Sequence, residues 1–208
     1  MTEIDKLLAI APVIPVVTLR RADHAVPLAA ALLEGGIRII EVTLRTETAL
    51  ESIERIAREF PQVSVLAGTV CNAVQARDAM RAGAAGLVSP GLTDSLAAVV
   101  GGSGFAWLPG IATASDIMRG LDLGLRCFKL FPAVTAGGVA ALRAFAGPFP
   151  DLTFCPTGGI DKESAPAYLA LGNVACVGGS WVATEAHMQA TAWDVIRDNA
   201  RFAAGLKR

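Results

Sequence analysis

One lysine, Lys129, stands inside an otherwise apolar run, LRCFKLFPAV, at residues 125–134. Lysine is rarely enclosed unless another group pairs with it or a reaction uses it. Withdrawal from water disfavours the ammonium form, so an enclosed lysine can present a neutral amine near neutral pH. Such an amine adds to ketones. Lysines on strands also reach water along a sheet edge or by extending their stems, and the run alone leaves both readings open.

Other polar groups fall at the ends of apolar runs. The segment EVTLR supplies Glu41, Thr43 and Arg45, and strand alternation puts Ile37, Ile39 and Glu41 on one face. Later runs end in GTV, with Thr69, and in SPG, with Ser89 and Pro90. Lys129 shares a face with Cys127 and Phe131. Each residue has a plainer role open to it: Glu41 as an ion-pair partner, Arg45 as a solvated loop residue, Thr69 as a turn or cap. Together they gather an acid, an amine and a guanidinium at strand ends, which favours a site.

The segments PTGGID (156–161) and VGGSW (177–181) each follow a strand-like run and open a helix-like one. Paired glycines let backbone N–H groups approach an anion, and Ser180 adds a hydroxyl. Gly158, Gly159 and Ser180 therefore read as a phosphate cradle. Tight turns are the ordinary alternative for each motif alone.

These residues need a frame. Short apolar runs, VIPVVTL, IRIIEV, VSVLAG, AGLVS, FAWLPG, LRCFKLF, LTFCPTGG and VACVGG, alternate with amphipathic segments. In TETALESIERIAREF, Leu50, Ile53, Ile56, Ala57 and Phe60 share one face. Asn72 and Thr113, the latter followed by Asp116, mark helix starts. Eight strand–helix units imply an α/β chain closing into a (β/α)8 TIM barrel, with an extra N-terminal helix over residues 2–10 and one domain spanning 1–208. Such barrels carry their chemistry at the C-terminal strand ends, and phosphate sites after strands seven and eight. An open doubly wound sheet would place a glycine fingerprint after its first strand, where VTLRRADHA has no glycine. The segment GGSG at 101–104 lacks a following Lys-Ser/Thr and reads as a loop, not a P-loop.

Composition narrows the function classes. Of the 208 residues 53% are hydrophobic and 18% charged, which suggests a large core and an apolar subunit interface. A net charge of −1 without a basic block argues against nucleic acid. Cys71, Cys127, Cys155 and Cys176 have no CxxC spacing and read as reduced thiols in a cytoplasmic protein. His24 and His187 belong to no metal-ligand pattern, so no metal is expected. The opening MTEIDKLLAIAPVIPVV has no signal-peptide pattern, and the uncharged stretch between Asp94 and Asp116 is broken by GGSGF and LPG, so no membrane span is expected.

The motifs EVTLRT, AGTV, SPG, PGI-T, KLFPA, CPTGGI and GGSW, in this order and spacing, resemble the 2-keto-3-deoxy-6-phosphogluconate (KDPG) aldolases, also called 4-hydroxy-2-oxoglutarate (KHG) aldolases. The resemblance covers almost the whole chain. It implies a homotrimeric class I aldolase without cofactor or metal, cleaving KDPG to pyruvate and glyceraldehyde 3-phosphate, and KHG to pyruvate and glyoxylate. Carried over position by position, Lys129 is the Schiff-base lysine and Glu41 the general acid/base. Arg45 and Thr69 hold the pyruvate carboxylate, Pro90 and Phe131 line the pyruvyl pocket, and Gly158, Gly159 and Ser180 bind phosphate. Two positions depart from the family pattern: Leu130 replaces a second aromatic, and Val134 replaces an acid. Strand parity points Leu130 away from the site. Two rivals remain: a phosphosugar isomerase or epimerase, and a non-catalytic phosphosugar-binding barrel. One interior acid and no histidine cluster count against the first, and the second leaves an enclosed Lys129 beside Glu41 without a purpose.

Overall fold

The structure, a computed structural model, describes residues 1–101 and 103–207. GGSG therefore lies only partly within the described residues. The chain opens with α1 (Glu3–Leu8), β1 (Val13–Val17), α2 (Ala25–Glu34), β2 (Ile39–Thr43), α3 (Ala49–Glu59) and β3 (Ser64–Gly68). It continues through α4 (Ala73–Arg81), β4 (Gly86–Val88), α5 (Asp94–Val100), β5 (Trp107–Leu108), β6 (Gly110–Ile111) and α6 (Ala114–Asp122). The last third holds β7 (Cys127–Leu130), α7 (Gly138–Ala146), β8 (Thr153–Phe154), α8 (Ala165–Leu169), β9 (Val177–Gly179), α9 (Glu185–Gln189) and α10 (Trp193–Ala204).

All these strand pairings are parallel, and they form two sheets rather than the expected eight-stranded TIM barrel. One sheet has six strands in the order β5-β4-β3-β2-β1-β9, a half-barrel; the other has three, β6-β7-β8. The run expected as a single fifth strand breaks at Pro109 into β5 and β6. Proline has no N–H to give to a ladder. At the other seam, among the described residues, β8 and β9 are joined by the isolated bridges Phe154↔Val174 and Thr157↔Gly178 in place of a ladder, with Pro156 between them. The α/β alternation is as expected, and full closure is the part that fails.

Local chemistry explains the helices. Thr113 accepts from the Asp116 N–H while Asp116 reaches back to the cap, and Asn72 accepts from the N–H groups of Val74 and Gln75. In α3 the buried residues are Ala49, Ser52, Ile53 and Ile56, so a small polar residue joins the apolar face. Its hydroxyl donates to the Thr48 carbonyl. On β7 and β8, Phe128 and Phe154 are fully buried, and Phe154 stacks on Phe145 of α7 at 6.0 Å. Burying each ring stabilises the fold by about 2–3 kcal/mol.

Helix α1 is the extra helix the sequence predicts. Its Leu8 is fully buried, and Leu7 packs near Gly86 at the N-terminal end of β4. The Cys127 thiol donates to Asp5 Oδ1 at 2.9 Å, tying α1 to β7. Burial foremost, then the Asp5 contact, pushes that thiol up to about 12, so it acts as a neutral donor. Cys155 and Cys176 are also buried, whereas Cys71 is exposed.

Candidate active site

Lys129 and Glu41 meet. Lys129 Nζ lies 3.1 Å from Glu41 Oε1 and 3.3 Å from Oε2, although β7 and β2 belong to different sheets. Lys129 is 5% exposed and Glu41 4%. Taking two charges out of water costs several kcal/mol each, and their attraction offsets this only with good geometry. An ion pair kept in such a place makes sense if its proton is used. Phe131, at the end of β7, sets its ring centroid 5.1 Å from Lys129 Nζ. Leu130 is fully buried, and its alternation with Lys129 along β7 turns it away from Glu41.

The carboxylate is positioned by its neighbours. Glu41 pairs in register with Val16 on β1 and Leu66 on β3. Gly68, one layer further along β3, leaves the room that Glu41 occupies. A β-carbon there would lie 2.6 Å from Glu41 Cγ and closer still to Oε1. Sequence reading took Gly68 only as the end of a strand. Its spacing from Thr69 was visible, but the cross-strand register that gives it meaning was not.

Arg45 and Thr69 come together as expected: Arg45 Nε donates to Thr69 Oγ1 at 3.0 Å. Thr69 has φ 57°, a left-handed conformation that costs a β-branched residue roughly 1–3 kcal/mol. That twist turns its hydroxyl toward Arg45 at the end of β3. Arg45 is exposed, and this is its only side-chain hydrogen bond among the described residues, so its remaining fork can take a carboxylate. Pro90 is exposed just beyond β4, and its carbonyl backs onto Gly110. Ser89 holds that turn, donating to the Gly91 carbonyl at 2.7 Å and accepting from Trp107 Nε1 at 3.0 Å.

The two glycine loops also meet. Gly158 and Gly159 have φ of 104° and 79°, conformations L side chains rarely adopt. Their N–H groups donate to no backbone carbonyl among the described residues, which leaves them for an anion. The bridge Thr157↔Gly178 joins this loop to β9, and Ser180 stands exposed directly after β9. Thr157, 6% exposed, was not singled out in the sequence, and Gly178 was read there only as one of the paired glycines of VGGSW. A β-carbon on Gly178 would lie 2.7 Å from Thr157 Cγ2, so this glycine makes room for the threonine. Val134 is half exposed and packs over Gly159, where a β-carbon would come within 2.8 Å of its Cγ2.

Thus Glu41, Lys129 and Phe131 form one centre, Arg45 with Thr69 a second, and Gly158, Gly159 and Ser180 a third beside Thr157. A cavity of about 410 Å³ lies elsewhere, lined by Ile4, Val100, Phe105, Trp107, Leu125 and Cys127, and includes neither Lys129 nor Glu41. Among the described residues no group of three or more His, Cys, Asp or Glu could hold a metal ion, and no helix is long and apolar enough to cross a membrane.

The chain is similar to known proteins along almost its whole length. The sequence profile described as KDPG and KHG aldolase matches residues 4–198. A 2-dehydro-3-deoxy-phosphogluconate aldolase of Pseudoalteromonas atlantica is 50% identical over 192 residues, 92% of this chain and 89% of its own. The KHG/KDPG aldolase of Escherichia coli is 46% identical over 202 residues, 97% of this chain and 95% of its own. The crystal structure of a KDPG aldolase from Legionella pneumophila superposes with a TM-score of 0.95 at 41% identity, covering 97% of this chain and 98% of that one; in it pyruvate is captured as a covalent carbinolamine. This chain belongs to the KDPG and KHG aldolase family and is a lyase of the aldolase type.

Proposed function

We propose that this chain, acting as one domain, cleaves 2-keto-3-deoxy-6-phosphogluconate to pyruvate and glyceraldehyde 3-phosphate, and 4-hydroxy-2-oxoglutarate to pyruvate and glyoxylate. The observation that carries this reading is the buried Lys129–Glu41 contact at 3.1 Å. The carbinolamine in the Legionella relative, and the names of the Escherichia and Pseudoalteromonas relatives, support it.

Lys129 Nζ passes a proton to Glu41 along their hydrogen bond and attacks the C2 ketone. Glu41 returns that proton to the carbinolamine hydroxyl, which leaves as water, so that an iminium forms and Glu41 is again a carboxylate. Glu41, through a water, takes the C4 hydroxyl proton; the C3–C4 electrons move into the iminium, and the aldehyde departs. The enamine is then protonated at C3, and water hydrolyses the resulting imine to free pyruvate and Lys129. Proton transfer of this kind contributes typically ~10²–10⁴-fold. Arg45 and Thr69 hold the C1 carboxylate, Pro90 and Phe131 flank the pyruvyl group, and Gly158, Gly159 and Ser180 hold the phosphate.

The KDPG reaction assigns the chain to the Entner–Doudoroff sequence, in the cytoplasm, where its cysteine thiols stay reduced. It works as a homotrimer, its contact drawn from exposed apolar side chains such as Val74, Met118 and Phe202. The test is to supply KDPG to the purified protein and follow pyruvate and glyceraldehyde 3-phosphate with separate coupling enzymes. Equimolar appearance of both supports the reading, and absence of either overturns it.

A further inference from the structure

We propose that Thr18 is a specificity residue that accepts a hydrogen bond from the C5 hydroxyl in the aldehyde half of the substrate. The inference rests on the aldolase reading above and adds to it a residue outside the three centres. Val16 pairs in register with Glu41, so the two share a face. Two residues further along each strand, the hydroxyls of Thr18 and Thr43 meet at 2.8 Å. Thr18 therefore stands on the wall that carries Glu41, about 6–7 Å nearer the C-terminal strand ends.

Either hydroxyl could be the donor of this contact by its own geometry, and the Val17 carbonyl beside Thr43 selects the direction. Thr43, 1% exposed, donates to the Val17 carbonyl at 3.1 Å. A hydroxyl has one proton and two lone pairs. With its proton on a carbonyl, Thr43 can only accept from Thr18. Thr18 has then used its own proton, and its half-buried oxygen offers lone pairs alone. It suits a ligand hydroxyl and disfavours a carboxylate or phosphate oxygen.

Topology puts this acceptor on the path of the substrate. Strand β1 lies between β2, which carries Glu41, and β9, which leads into Ser180. The pairs Ile14↔Gly178 and Pro15↔Gly179 bring Ser180 beside Val16. A molecule joined to Lys129 at C2 and held by phosphate at Ser180 passes C4 and C5 between the ends of β8, beside Thr157, and of β1, beside Thr18. On that face β1 and the residue after it present Ile14, Val16 and Thr18, and only Thr18 carries a polar atom. The C4 hydroxyl gives its proton to Glu41, which leaves the C5 hydroxyl as the donor that needs a partner.

The experiment measures kcat/KM for addition of pyruvate to D-glyceraldehyde 3-phosphate and to 3-oxopropyl phosphate, which lacks the hydroxyl destined for C5. The ratio of the two values is compared between wild type, Thr18→Val, Thr18→Ala and Thr18→Ser. Loss of one hydrogen bond of this kind predicts a ratio lowered about tenfold in Thr18→Val and Thr18→Ala, and kept within about threefold by Thr18→Ser. Thr18→Ala serves should Thr18→Val fail to fold. An unchanged ratio in either variant, or a ratio lost equally in Thr18→Ser, overturns the role of Thr18 while leaving the aldolase reading intact. A wild-type protein that adds pyruvate to neither aldehyde overturns both.

Discussion

Gly68→Ala tests how the reacting carboxylate is held. The added methyl carbon would lie 2.6 Å from Glu41 Cγ and 2.8 Å from Cδ, where ordinary carbon contacts are about 3.5–4 Å. Glu41 has to retreat by about 1 Å. Gly68 is not among the residues with positive φ, so the backbone accepts alanine and the whole perturbation falls on the side-chain contact. Retreat lengthens the 3.1 Å contact with Lys129 and moves the proton acceptor off the C4 hydroxyl. A misplacement of this size costs about 10²-fold in rate, and the overpacking about 1–3 kcal/mol in stability. Cleavage is assayed at saturating substrate with unfolding curves alongside. Gly172→Ala, at a glycine with open space around it, is the control and changes turnover less than about twofold. Wild-type turnover in Gly68→Ala, or a loss matched by Gly172→Ala, would refute the claim that Gly68 holds Glu41 in place.

Ser180→Ala raises KM for KDPG about tenfold and for KHG, which has no phosphate, much less; equal damage to both means the loop serves folding. Activity survives exhaustive chelation, because the electron sink is the lysine imine; loss restored by a divalent ion contradicts this. The Cys127 thiol, then Thr2 against an opposing effect of burial, holds the Asp5 carboxyl below its usual 3.8. A carboxyl depressed in the folded state stabilises fully above the ordinary value and loses that contribution as pH falls through the folded one. Urea midpoints of wild type therefore fall more than those of Asp5→Asn between pH 6 and pH 3, and parallel curves would show that the contact does not anchor α1.

Much of the site was legible because reactive residues are conspicuous in apolar surroundings. Lys129 and Glu41 stood out in runs that alternation assigned to strands, and their meeting followed once both strands faced one interior. The Gly158–Gly159 pair was legible because few residues tolerate the backbone it adopts. What stayed hidden depends on cross-strand register. Gly68, Gly178 and the Thr18–Thr43 pair look ordinary until the neighbouring strand is in place. Closure was misread for a related reason: eight apolar runs suggest eight strands, but Pro109 and Pro156 withhold the donors that continuous ladders need. The pairing of Asp5 with Cys127, 122 residues apart, had no local signal at all.

The central claim is that Lys129 forms the imine. Incubation with pyruvate and sodium borohydride should reduce it, block activity irreversibly and add one reduced pyruvyl group to the protein. Peptide mapping should place that mass on Lys129 and not on Lys6, Lys162 or Lys207; Lys6 is already paired with Glu3, and Lys162 lies over the Phe202 ring. Lys129→Met should lose both labelling and cleavage, whereas Glu41→Gln keeps some labelling while turnover falls about 10²–10⁴-fold. A label on another lysine, or aldol cleavage retained by Lys129→Met, would contradict the account.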